Sequence, residues 1–215
     1  MKNNRRIRQI TGIALLSALA IALQFLSNFI ASIGIASITL ALIPIVVAAC
    51  VYGPYAGLLV GVLVGASVLP GAVFFLNFSP VVTVFVCLLK TGLAGLLAGF
   101  IFKWLCNKNS LLAVIIASIS VPLVNTGLYL IAVYVFYIPA FEAVLEEGTS
   151  VYTYVLVATL SINFLLEFLL NSCLSPVVHR LILLLNKKYD IGMISYNKKD
   201  NEVVDNNIND NKSID

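Results

Sequence analysis

Lys90 stands in VCLLKTGLAGLLAGF (86–100) and Glu167 in SINFLLEFLLNS (161–172), two passages that are otherwise almost wholly apolar. A charged side chain in mid-membrane costs at least about 2.5–3.5 kcal/mol on insertion scales, so residues of this kind are paired or functional. An ammonium offers three donors and no acceptor, whereas a carboxylate only accepts. Facing each other, the two passages would hold a small polar molecule, Lys90 taking an anionic or carbonyl oxygen and Glu167 taking a donor. Asn125, in SVPLVNTGLY, and Asn163 carry both kinds of group and complete the recognition set. Asn163, Glu167 and Asn171 recur at i, i+4 and i+8, which draws one polar stripe along an apolar helix. Gln24 and Asn28 sit where they would cap such a site, and Asn77 and Tyr129 join the candidates. The alternative is that Lys90 and Glu167 neutralise each other in a structural or assembly protein without ligand, the asparagines serving as interhelical glue.

Other chemistries find no residues here. No Gly-x-x-x-x-Gly-Lys-Ser/Thr loop is present, so the chain has no ATPase site of its own. No HExxH pair occurs, and His179 is the one histidine, which excludes a His-rich metal centre. Cys50, Cys87, Cys106 and Cys173 are scattered singly in or beside apolar segments, a spacing that fits packing rather than zinc or disulfides. With no nucleophile and base in view, the expectation is a protein that is not an enzyme and needs no metal, cofactor or nucleic acid.

The elements that must position these residues follow from composition. The 215-residue chain is 60% hydrophobic and 11% charged, and its mean hydropathy is +1.02, values that define an integral membrane protein in contact with lipid. No Asp, Glu, Lys or Arg occurs from Gln9 to Leu89, nor between Lys108 and Glu142. Polar and Gly/Pro punctuation divides the chain into six helices over 9–30, 38–52, 54–69, 80–106, 110–138 and 152–185, to be compared with the about 20 residues a span requires. The boundary between the second and third falls in YGPYAG, where Gly53 suits a helix end and Pro54 a first helical turn. The fold expected is an all-α membrane bundle.

Basic residues cluster before the first helix (Lys2, Arg5, Arg6, Arg8), between the fourth and fifth (Lys103, Lys108) and at the end of the sixth (Arg180, Lys187, Lys188). Six spans place all three clusters, and both termini, on the cytoplasmic side. Counting inward from the opposite side, Lys90 lies roughly 15 Å below Pro80, Asn163 roughly 17 Å below Tyr152 and Asn125 roughly 20 Å below Ile138, a common depth on three helices. The apolar character ends after Lys188: residues 1–188 form the membrane domain, and the Asn/Asp-rich stretch 189–215 reads as a disordered cytoplasmic tail.

Small residues line up at four-residue spacing as Ala14, Ala18 and Ala22 in the first helix and as Gly57, Gly61 and Gly65 in the third, with Gly95 and Gly99 in the fourth. Such faces let helices approach closely in lipid. The glycines suit contacts within the chain, and the alanines suit an internal or an external partner equally.

The passages SITLALIPIVVAACVYGPYAGLLVGVLVG (37–65), CLLKTGLAGLLAG (87–99) and VPLVNTG (121–127), with the alanine face, give residues 9–188 a pattern that resembles the substrate-binding S components of energy-coupling factor (ECF) transporters, of the riboflavin/pantothenate type. The resemblance implies a multi-pass protein of the bacterial plasma membrane that captures a small water-soluble vitamin from outside through the outer halves of the last three helices. It implies that Ala14, Ala18 and Ala22 pack on a transmembrane T component coupled to two ATPases, that the S component topples to release its cargo inward, and that loop 31–37 acts as a lid. Unlike aromatic-vitamin binders of this kind, the chain has no tryptophan at the outer face, Trp104 lying at the inner end of its helix. Phe74, Phe75, Phe78 and Tyr129 remain for stacking. Pantothenate, flexible and carboxylate-bearing, suits Lys90 better than riboflavin does.

Overall fold

The computed structural model describes residues 2–33, 39–145, 150–160 and 162–189, including side chains except those of 2–5, 158–160, 162, 163 and 186–189. Helices make up nearly all of it, and no strand occurs among the described residues. The order is α1 (Lys2–Ser32), α2 (Leu42–Tyr52), α3 (Pro54–Val68), a 3-10 turn (Leu69–Gly71), α4 (Val73–Phe78), α5 (Pro80–Leu105), α6 (Ser110–Ala132), a π turn (Val133–Tyr137), α7 (Ile138–Glu142), α8 (Val151–Leu160) and α9 (Ile162–Tyr189). Five helical stretches are long and apolar enough to cross a membrane: Arg6–Ser32, Pro54–Gly71, Pro80–Leu105, Ser110–Glu142 and Phe164–Leu185.

The sixth expected span is the exception. α2 has 11 residues, about 16 Å at the α-helical rise, roughly half the hydrocarbon thickness. Its length is explained by its surroundings. Every residue of α2 except Ile43 is buried, and α1, α3, α5, α6 and α9 all pack on it. A helix apolar on every side belongs in a core, and α2 supplies Leu42, Ile45, Val46 and Cys50 to the principal hydrophobic cluster.

Two connections read as loops from sequence are partly helical. The stretch 70–80 contains the end of the 3-10 turn and α4, and the stretch 139–152 contains most of α7 and the start of α8. From these stretches Phe75, Phe141, Leu145 and Val151 join a second hydrophobic cluster at the bundle end. The last predicted helix is described as α8 and α9 on either side of Ser161, which lies outside the described residues. Residues 34–37 of the expected lid, Glu146 and Glu147, and 190–215 of the expected tail lie outside them too.

Local chemistry sets the helix ends. Gly53, at φ 99°, separates α2 from α3, and Pro54 opens the next helix, as the sequence predicts. The Asn109 side chain caps α6 by accepting from Leu112 N at 3.1 Å. Several buried hydroxyls are satisfied within their own helices, as when Thr91 Oγ1 donates to Cys87 O at 2.9 Å and Ser17 Oγ to Ile13 O at 2.8 Å. At one end of the bundle, Ser110 Oγ and His179 Nε2 meet at 2.9 Å, joining α6 to α9. The four cysteines are free, Cys50, Cys87 and Cys106 buried and Cys173 exposed.

The glycine stripe of α3 does what its spacing predicts, within the chain. Gly57 lies against the backbone of Gly95, Gly61 against Thr91 and Gly65 against Cys87, so α3 and α5 touch main chain to main chain. A methyl group at Gly61 would run into the Thr91 carbonyl, which has no rotamer by which to yield, whereas one at Gly127 would meet nothing within 4 Å. Gly61→Ala is therefore expected to lower stability by about 1–3 kcal/mol and Gly127→Ala to change it by less than about 1 kcal/mol. Denaturation in detergent checks this, and equal behaviour of the two variants would remove backbone contact as the role of the stripe.

Candidate functional site

Lys90 lies on α5 together with Thr83, Val86 and Cys87, at i, i+3, i+4 and i+7, and these four residues line one side of a cavity of about 740 Å³. Other walls come from the C-terminal part of α1, from Pro70–Ala72 beyond α3, from the C-terminal half of α6 through the π turn, and from α8 and α9. The cavity thus opens at the end of the bundle away from Arg6, Arg8, Lys103, Lys108 and Arg180, the bundle being built of antiparallel neighbours. Its volume suits a vitamin-sized molecule.

The half-buried Lys90 ammonium has no hydrogen-bond acceptor and no salt bridge among the described residues. Its recorded neighbour is the Tyr129 ring, 5.5 Å from Nζ to centroid, a cation–π contact that partly offsets desolvation. Glu167 lines the same cavity without closing on Lys90. Its Oε1 accepts from Thr39 N at 2.8 Å, tying α9 to the chain just before α2. The Thr39 side chain bonds to the same carboxylate, and acceptor capacity remains beyond these contacts. The internal Lys90–Glu167 pair considered from sequence is accordingly not formed. A parallel tether runs from Leu40 N to Ser27 Oγ at 3.0 Å, so side chains of α9 and α1 satisfy two backbone donors ahead of α2.

The amides have defined orientations. Gln24 Nε2 donates to Asn28 Oδ1 at 2.9 Å, and Asn28 Nδ2 donates to Ser67 O at 3.3 Å, a relay from α1 to α3. Gln24 and Asn125 are 4% and 5% exposed, yet Gln24 Oε1 and Asn125 Oδ1 have no partner among the described residues. An acceptor buried in this way is costly until a donor reaches it. Above the polar groups stands an aromatic wall. The Phe75 ring meets Tyr137 at 4.9 Å and 77°, Tyr129 at 5.9 Å and 89°, and Phe141 at 6.1 Å and 63°, edge-on contacts of the favourable kind.

Of the residues expected from sequence, Gln24, Asn28, Lys90, Asn125, Tyr129 and Glu167 converge on this cavity. Asn77 does not: it is exposed on α4, because the connection that carries it folds as a helix and presents Phe75 to the cavity instead. The Asn163 side chain lies outside the described residues. Asn171, the last of the polar stripe, is spent on its own helix, Nδ2 donating to Glu167 O at 2.9 Å. Sequence reasoning missed Thr39, Thr83, Thr126 and Tyr137. Thr83 was detectable in principle as the residue two turns before Lys90; Thr39, brought in by the tether to Glu167, carried no such signal.

An all-helical, multi-pass membrane protein with a partly open cavity of small-molecule size, a few polar groups set in an apolar lining, fits the class of solute-binding membrane proteins. The family follows from comparison: the model described as "ECF transporter, substrate-specific component" matches residues 8–179, and the chain belongs to that family. It is a transport subunit and not an enzyme. Neither the curated proteins nor the solved structures compared with it contain a match.

The tether gives a test. Glu167→Gln retains an acceptor for Thr39 N and should melt, without ligand, close to wild type. Glu167→Ala orphans that buried N–H and should lose about 1–3 kcal/mol. Indistinguishable melting of the two variants would remove Glu167 from the role of tether.

Proposed function

We propose that this chain captures a small water-soluble vitamin from the outer side of the bacterial plasma membrane and hands it inward as the substrate-binding subunit of an ECF importer. The observation that carries the reading is the Lys90 ammonium, held inside a cavity of about 740 Å³ with no acceptor among the described residues. Lys90 takes the anionic group of the substrate, Glu167 and Gln24 Oε1 take donors, and Asn125 bonds alongside. Pantothenate is favoured over riboflavin, because a carboxylate meets Lys90 directly. In this arrangement the bundle spans the membrane six times, the short α2 completing the count, with both termini in the cytoplasm.

The energy comes from partners. Ala14, Ala18 and Ala22 are exposed on α1, whereas Ser17, Ala20 and Gln24 on the other face are buried. The outward row of small side chains supports packing on a transmembrane T component that works with two ATPases.

Native mass spectrometry of protein purified from rich medium, followed by thermal-shift titration with B vitamins, tests the reading. A co-purifying vitamin that raises the melting temperature is expected; no bound molecule and no shift would overturn it. Lys90→Gln should weaken binding about 10- to 100-fold, the effect of losing a charged hydrogen-bond donor. Ala18→Phe should leave vitamin affinity unchanged and abolish uptake in cells supplying the other subunits. Normal uptake by this variant would remove the alanine row from the partner interface.

A further inference from the structure

Tyr137 reaches the cavity through a departure from regular helix. The cavity-lining residues Asn125, Tyr129, Val133 and Tyr137 follow one another every fourth position. In an α-helix each four-residue step overshoots a turn by about 40°, so Tyr137 would stand about 120° round from Asn125. The π turn over Val133–Tyr137 winds less per residue, since its hydrogen bonds reach one residue further, and it brings Tyr137 back to the cavity face. Tyr134 Oη, donating to Tyr152 O at 3.1 Å, fastens the π turn to α8.

The Tyr137 hydroxyl is hydrogen-bonded to Thr83. Thr83 Oγ1 lies 2.7 Å from Ser79 O and 2.7 Å from Tyr137 Oη. Either hydroxyl can donate in the second contact; Thr83 has one proton, and giving it to the Ser79 carbonyl one turn back on its own helix leaves Thr83 to accept the Tyr137 proton. Tyr137, 2% exposed, is left with lone pairs and no proton to offer the cavity, beside the Phe75 ring. Thr83 precedes Lys90 by two turns, roughly 10 Å, a separation comparable to the length of extended pantothenate.

We infer that Tyr137, oriented by Thr83, is an acceptor-only specificity residue that selects substrates carrying a hydroxyl or N–H donor next to an apolar segment, at the far end from the anion on Lys90. The inference rests on the cavity being the substrate site. For pantothenate it places the carboxylate at Lys90, a hydroxyl of the dimethyl-bearing end at Tyr137 Oη, and the methyl groups against Phe75.

Calorimetric titration of the purified protein with pantothenate and with its dideoxy analogue, both hydroxyls replaced by hydrogen, tests it. Wild type should prefer pantothenate. Tyr137→Phe should lose about 5- to 10-fold in pantothenate affinity and keep its affinity for the analogue. Thr83→Val, which frees the Tyr137 proton, should also narrow the preference. An equal loss for both compounds in Tyr137→Phe would overturn the inference and leave Tyr137 a packing residue. Binding of riboflavin and of neither of these compounds would overturn the inference, since riboflavin brings no anion to Lys90. Lys90→Gln separates the two readings: binding that it leaves untouched would show that the cavity is not the substrate site, whatever Tyr137 does. Failure of wild type to bind any of the three compounds would overturn the inference together with the vitamin reading.

Discussion

A half-buried ammonium with no carboxylate within ion-pair distance among the described residues is the constraint on which the rest of the structure depends. Bringing Lys90 and Glu167 together would relieve both charges and leave an inert core. The chain instead spends one Glu167 oxygen on Thr39 N and rests the cation over the Tyr129 ring. Neither contact matches an ion pair in strength, so an arriving anion gains much of the interaction that the protein forgoes. The unpartnered oxygens of Gln24 and Asn125 follow the same logic for donors. The site holds under-satisfied polar groups, and the surrounding fold has to supply the stability that they do not.

That stability comes from close packing in the half of the bundle away from the cavity. α2 is enclosed on all sides, and the α3 glycines let the backbone of α5 approach until no side chain separates them. α5 then has two working edges. One meets α3 through Cys87, Thr91 and Gly95, and the adjoining edge presents Thr83, Val86 and Lys90 to the cavity. A rigid α3–α5 unit fixes where the cation stands, which a loosely packed helix would not do. α1 is divided in the same manner, with Ser17, Gln24 and Ser27 inward and the alanine row outward. One helix thereby touches both the site and the surface assigned to the partner.

Much of the site was legible because the membrane makes polar residues conspicuous. Against a background free of charge from Gln9 to Leu89, Lys90 stands out by type alone, and helical spacing with a common depth was enough to group it with Asn125 and Glu167. Threonines gave no such contrast, since they occur throughout apolar helices with their hydroxyls bonded to the preceding turn, and a tyrosine reads equally well as an amphipathic packing residue. Thr83 and Tyr137 therefore passed unnoticed, and Asn77 was included on its residue type although its helix turns it outward.

By itself the sequence determined the membrane class, the helical architecture, the Gly53–Pro54 break, the inward use of the α3 glycines and most of the polar cavity lining. Each of these follows from local periodicity, backbone preference or the cost of burying charge in lipid, all of which act within a few residues. Only the tertiary structure decided that Glu167 bonds to Thr39 rather than to Lys90, that α2 is a short core helix, and that a π turn aims Tyr137 at Thr83. These depend on which groups from distant segments meet first in three dimensions: Glu167 lies 128 residues from Thr39 along the chain, and no local pattern records a competition settled over that separation.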